Sequence, residues 1–157
     1  MYEYHVKKIC RIIDGDTVDV DIDLGFGVWL KKERVRVNGI DTPESRTRDK
    51  EEKKFGLISK NRVKQLLPVG STQILKTESD RNGEDKKGKF GRILGDFVFN
   101  KPVSNDDKIP ILEIEGVRLS DVLIDENMAV RYHGQSKDDI SEQHIKNIEL
   151  LISRGLV

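Results

Sequence analysis

Two acidic clusters carry the residue types that could do chemistry in this chain. Asp14-Gly15-Asp16 follows the apolar pair Ile12-Ile13, and Asp41-Thr42-Pro43-Glu44 follows the alternating run Val35-Arg36-Val37-Asn38 and Gly39. Taken singly, an Asp-Gly pair is a common turn former. Pro43 with Glu44 likewise reads as a strand end followed by a charge that complements a helix N-terminus. Taken together they say more, because each cluster stands at the end of an expected strand and neighbouring barrel strands bring such ends to one place. Asp16 and Asp41 would then face one small space. Ca²⁺ and Mg²⁺ take carboxylate, carbonyl and water oxygens, and two carboxylates leave positions open for a substrate phosphate. Neither cluster holds His or Cys, which argues against zinc. Arg36 alternates with Val35 and Val37, so its guanidinium is expected on the face opposite them, suited to a bidentate grip on phosphate. Pairing with Asp19, Asp21 or Asp23 is the alternative for it.

The elements that must position these groups follow from periodicity. Residues 4–13 read as a strand and Asp14-Gly15-Asp16 as a turn. From Thr17 to Leu24 the pattern alternates strictly, putting Val18, Val20, Ile22 and Leu24 on one face and three aspartates on the other. Gly25-Phe26-Gly27 supplies a hairpin, and Val28 to Asn38 returns as a third strand. Within the hairpin, Phe26 and Trp29 are expected to cover a core edge, with nucleic-acid contact as the alternative. Residues 49–67 carry Phe55, Ile58, Val63 and Leu66 near helical spacing, closed by Pro68 and Gly70. Residues 71–79 and 92–99 make two more strands, joined by a glycine-rich connection over 80–91 that is expected to be an exposed, mobile loop. A short helix is expected at Leu119–Leu123. A longer one follows over 136–155, with Ile145, Ile148, Leu151 and Ile152 on its apolar face. Five short antiparallel strands with a helix between the third and fourth and two at the end fit an α+β, mainly β fold: a five-stranded Greek-key barrel of the OB type with about three packed helices.

Length and composition bound the rest. With 157 residues, one domain spanning 1–157 is expected. No apolar run approaches the length of a membrane span and the first residues lack the apolar stretch of a secretory signal, so an intracellular (cytoplasmic) protein with no membrane partner is expected. The single cysteine, Cys10, cannot form an internal disulfide and is expected as a buried core thiol. Formal net charge is zero, but residues 104–157 hold eleven acidic and six basic side chains, so an anionic partner should meet the first two thirds of the chain.

"IDGDTV" (13–18), "RVNGIDTPE" (36–44) and "KFGR" (89–92) occur in the order and approximate spacing of the staphylococcal nuclease (thermonuclease) family, and "SEQHIKN" (141–147) resembles its last helix. The resemblance covers roughly residues 6–154 and is specific because separated motifs agree. It implies a Ca²⁺-dependent endonuclease, a phosphodiesterase acting on DNA and RNA with little sequence preference, with Mg²⁺ as the alternative ion. By motif match, Asp16 and Asp41 would be side-chain metal ligands, with Thr42 contributing its backbone carbonyl. Glu44 would activate the attacking water, Arg36 and Arg92 would hold the scissile phosphate, and Asp14 would support the ligands from one layer out. Phe90 would stack on a base and Lys89 would contact phosphate, with Tyr132 a candidate second aromatic wall. Such stacking implies single-stranded substrate, and a monomer is expected. A catalytically silent nucleic-acid-binding module on the same fold is the rival reading.

Overall fold

The computed structural model describes residues 2–78, 91–103 and 112–156. Eight strands and three helices follow in the order β1 (Tyr2–Asp14), β2 (Thr17–Asp23), β3 (Trp29–Val37), β4 (Ile40–Asp41), α1 (Lys50–Leu66), β5 (Gln73–Thr77), β6 (Ile93–Val103), β7 (Leu112–Arg118), α2 (Leu119–Asp125), β8 (Val130–Arg131) and α3 (Lys137–Ser153). β1, β2 and β3 form an antiparallel meander, β5 pairs with both β1 and β6, and a parallel pairing of β3 with β6 closes five strands into a barrel. This is the expected α+β OB architecture, with one difference: five antiparallel strands are expected, and the pair that closes the ring is parallel. Its interior is filled by Ile9, Val18, Val20, Val35, Leu75 and Phe97, all fully buried, and α1 closes one side with Phe55 and Val63. The period-2 pattern of β2 explains this directly, since Val18, Val20 and Ile22 face inward from alternate positions.

Helix α1 begins where Asp49 accepts the backbone N–H groups of Glu51 and Glu52, at 3.0 and 3.2 Å, satisfying donors that have no partner within the helix. Helix α2 begins on the buried Asp96, whose carboxylate takes the N–H of Ser120 at 3.2 Å and the Ser120 hydroxyl. Among the described residues no helix is long and apolar enough to cross a membrane.

Further expectations need correction. Cys10 is partly exposed and not in the core: Ile9 takes the inward position, and the Cys10 thiol donates to Asp21 Oδ1 at 3.3 Å. Desolvation and the Asp21 carboxylate push its pKa up, which disfavours the thiolate. Phe26 and Trp29 do not cover a core edge but stand exposed at the β2–β3 apex, and Leu24, expected on the apolar face of β2, is exposed with them because the strand ends at Asp23. On α3, Ile145 and Ile152 are more than half exposed, and the face turned inward carries His144, Ile148 and Leu151 instead. Finally, the stretch after Val103 contains a further strand, β7, which pairs antiparallel with β6 outside the five-stranded ring. The connection expected to be a mobile loop falls, apart from Gly91, outside the described residues.

Candidate active site

The β1–β2 turn and the loop after β3 meet at one mouth of the barrel because three backbones approach closely there. A Cβ on Gly15 would come within 2.9 Å of Ser59 Cβ and 3.0 Å of Thr42 Cγ2, and one on Gly56 within 2.4 Å of the Glu44 carbonyl. Only residues without a side chain let the turn lie against Thr42 and let α1 lie against Glu44. Asp14 fastens the same loop, accepting the backbone N–H of Ser45 at 3.1 Å and the Ser45 hydroxyl. Asp14 therefore acts on the loop that carries Glu44, through Ser45.

Asp16 is 8% exposed. Its carboxylate accepts from Thr17 Oγ1 at 2.9 Å and from the Thr42 N–H at 3.2 Å, and Arg36 Nη1 lies 3.4 Å away. The same guanidinium reaches Asp41, with Nη2 3.6 Å from Oδ1, while Nη1 donates to the Val37 carbonyl at 2.9 Å. Arg36 thus bridges two carboxylates, one from the β1–β2 turn and one from β4. Arg36 does not pair with the aspartates of β2: Asp19 is taken by Arg34, at 2.8 Å. Burial pushes the Asp16 pKa up, and the nearby Asp41 charge adds to this; Arg36, the Thr42 N–H and the Thr17 hydroxyl oppose it.

Arg92 and Tyr132 join this group across a cavity of about 590 Å³, which is also lined by Arg36 and Asp41. Alternation accounts for Arg92: it falls two residues before Leu94, which pairs with Arg36, and Arg92 and Leu94 line the cavity together. Tyr132 is held there by its backbone N–H, which donates to the Gly39 carbonyl at 2.8 Å. Glu44 is exposed and is not among the residues lining this cavity; Glu52, from the first turn of α1, is, and its Oε1 accepts the Glu44 N–H at 3.3 Å. Lys89 and Phe90 lie outside the described residues.

His144 was not singled out by sequence reasoning. Its Nε2–H donates to Asp41 Oδ2 at 2.8 Å, so both oxygens of Asp41 are engaged, one by Arg36 and one by α3. The only sequence signal is its spacing, four residues before Ile148 and seven before Leu151, which also describes a core histidine. Glu52 gave no signal beyond a helix-start charge.

Among the described residues no group of three or more His, Cys, Asp and Glu side chains is arranged to hold a metal ion. What is present is a hard-donor set, Asp16 and Asp41 with adjacent backbone carbonyls, beside a buried Thr42 Oγ1 that has no hydrogen-bond partner among the described residues. Two carboxylates sharing one guanidinium at 3.4 and 3.6 Å, one of them buried with its pKa raised, form a site where added positive charge is favourable. The residues fit a hard divalent cation and do not fit a soft one.

Comparison with known proteins bears on the whole arrangement. A family profile described as staphylococcal nuclease homologue matches residues 34–151. A thermonuclease of Staphylococcus intermedius is 34% identical over 98 residues, covering 61% of this chain and 53% of that protein. A thermonuclease of Staphylococcus hyicus is 29% identical over 101 residues, covering 63% of this chain and 54% of that protein. A micrococcal nuclease of Shigella flexneri is 29% identical over 133 residues, covering 83% of this chain and 62% of that protein. The chain thus spans somewhat over half the length of the relatives it matches. With the profile covering β3 through most of α3, the chain belongs to the staphylococcal nuclease homologue family.

Proposed function

We propose that this chain is a metal-dependent nuclease that hydrolyses phosphodiester bonds of DNA and RNA with little sequence preference, its activity carried by one domain spanning 1–157. The observation that carries the reading is the Arg36 guanidinium set between Asp16 and Asp41 at the edge of a cavity that Arg92 and Tyr132 also line. A phosphodiester is an anion whose equatorial oxygens gain charge during attack. Fixed cationic donors therefore bind the transition state more strongly than the ground state. Arg36 and Arg92 would take the phosphate oxygens, and Tyr132 would flank an unstacked base, which favours single-stranded substrate. Asp16, Asp41 and the Thr42 carbonyl would hold Ca²⁺, or Mg²⁺, which when bound supplies further positive charge at the phosphate.

A carboxylate takes the proton of the attacking water, worth about 10² to 10⁴ in rate. As the water oxygen bonds to phosphorus the bond to the 5′ oxygen breaks, and that oxygen takes a proton from solvent, leaving a 5′-hydroxyl and a 3′-phosphate. The motif assigns the carboxylate to Glu44, and its position on a loop fixed by Asp14, Ser45 and Gly56 supports that role. A second reading, Glu52 as base, is favoured by its place on the cavity wall.

The purified chain is expected to cleave denatured DNA with Ca²⁺, to stop in chelator, and to lose activity in the Arg36→Ala/Arg92→Ala double variant. In the same assay Glu44→Gln should lower turnover by about 10² or more while Glu52→Gln leaves most of it. The reverse order would move the base to Glu52. Retained DNA binding without cleavage in any metal would instead support the silent binding module.

A further inference from the structure

The apex joining β2 and β3 lies outside the profile match and takes no part in the cavity. Five exposed apolar side chains, Leu24, Phe26, Val28, Trp29 and Leu30, fall within seven consecutive residues there. The turn is a fixed shape: the Val28 N–H donates to the Gly25 carbonyl at 2.9 Å, the Leu24 N–H to Val28 at 2.9 Å, and the Gly25 N–H to Asp23 Oδ1 at 2.8 Å. Gly25, Phe26 and Gly27 all have left-handed backbones, with φ of 81°, 54° and 73°. A bulky residue is disfavoured in that conformation, yet here it holds Phe26 fully out in water. Behind the apex, the ammonium groups of Lys7 and Lys31 lie 5.1 and 4.7 Å from the centre of the Trp29 ring. Lys8 and Lys32 stand close by, so four lysines stand against three carboxylates, Asp21, Asp23 and Glu33, and Asp21, which is buried, accepts the Lys32 backbone N–H at 2.8 Å.

We propose that this apex is a peripheral docking site for an anionic phospholipid surface. Phe26, Leu24 and Val28 enter the acyl boundary, Trp29 lies at the headgroup level, and the lysines meet lipid phosphates. The occupant follows from shape and charge. A convex tip of five side chains cannot offer the roughly 800 Å² per partner of a stable protein interface, so a second copy does not fit. Three of the five side chains are aliphatic and cannot stack on bases, and the Trp29 ring already carries two ammonium groups, so single-stranded nucleic acid fits less well. A bilayer accepts a convex apolar tip and complements a basic collar. Docking there also leaves the cavity free, because Arg36 pairs with Thr17 at one end of the hairpin and Trp29 pairs with Asp23 at the other. Peripheral docking of this kind needs no spanning segment.

Trp29 is the only tryptophan in the chain, so its emission reports the contact without a label. In low salt with chelator present, vesicles of equal parts phosphatidylcholine and phosphatidylglycerol should shift the emission to the blue and sediment the protein. Pure phosphatidylcholine vesicles should do neither. Phe26→Ser, and separately Lys7→Glu/Lys31→Glu, should each weaken partitioning about tenfold while leaving cleavage of a soluble oligonucleotide unchanged. Absence of shift and sedimentation with the anionic vesicles would overturn the proposal, as would wild-type partitioning by Phe26→Ser. A shift produced by oligothymidylate without vesicles would assign the apex to nucleic acid, and one produced by protein concentration alone would assign it to self-association; either result would replace the lipid.

Discussion

Asp16 and Asp96 are both buried carboxylates, 8% and 5% exposed, and burial is the main cause of a raised pKa in each. Their surroundings differ in kind. Asp96 is closed: Oδ1 accepts the N–H groups of Phe97 and Ser120, at 2.9 and 3.2 Å, Oδ2 accepts the Ser120 hydroxyl, and the group serves to start α2. Asp16 is open: one hydroxyl, one N–H and a guanidinium at 3.4 Å meet it, and that guanidinium is shared with the second carboxylate, Asp41. Asp96 has neutral donors aimed at both oxygens, with the Arg118 charge a smaller influence than Ser120. Asp16 is left beside a like charge, the arrangement expected of a carboxylate in the proposed cation site.

The strongest way to break the comparison is to neutralise each carboxylate in turn. Asp16→Asn should lower turnover on denatured DNA by on the order of 10² to 10³, while Asp96→Asn should leave turnover within a few-fold of wild type. Equal losses would mean that both act through folding. Next in size is Gly56→Ala, whose added Cβ would meet the Glu44 carbonyl at 2.4 Å. It should cost about 1 to 3 kcal/mol in urea unfolding and shift the Glu44 loop, lowering turnover as well. His144→Leu should weaken Ca²⁺ affinity by about tenfold in calorimetry, because the Asp41 carboxylate loses the donor that orients it, and His144→Gln, which keeps an N–H, should restore most of it.

The smallest effect is in pH. Asp96 has a folded-state pKa above its unfolded value, so its contribution to stability is full below the unfolded pKa and is lost as pH rises through the folded one. Asp96→Asn does not titrate, keeps an oxygen to accept the Phe97 and Ser120 N–H groups, and turns its amide N–H toward the Ser120 hydroxyl, which then accepts. Its stability relative to wild type should therefore rise with pH upward from about 4, read as a difference between urea midpoints.

Much of the barrel was legible because its signals are local. Strict alternation in β2 and the Gly and Asp-Gly turns place strands and their ends, and strand ends are where Asp16, Arg36 and Asp41 stand. Arg92 was legible by motif, while Tyr132 lies in none of the quoted motifs and was only a candidate; they reach the cavity beside Leu94 and by one backbone hydrogen bond to Gly39. His144 was hidden because a polar residue at helical spacing with Ile148 and Leu151 has the same pattern whether it meets a core or an aspartate 103 positions away. The apolar face of α3 was misread for a related reason: Ile145 and Ile152 share a spacing, but the barrel covers only the stripe through Leu151. Alternation also failed at Leu24, where the strand has ended and the apolar side no longer faces a core. β4 and β8 are two residues each, too short for any periodicity.

The most direct test of the central claim is a Ca²⁺ titration of thermal unfolding, comparing wild type with Asp96→Asn and with Asp16→Asn/Asp41→Asn. A ligand bound only by the folded state raises Tm with its concentration. Rising Tm in wild type and in Asp96→Asn, with a flat response in the double variant, is the predicted result. An equal rise in the double variant would contradict the assignment of the cation site to Asp16 and Asp41.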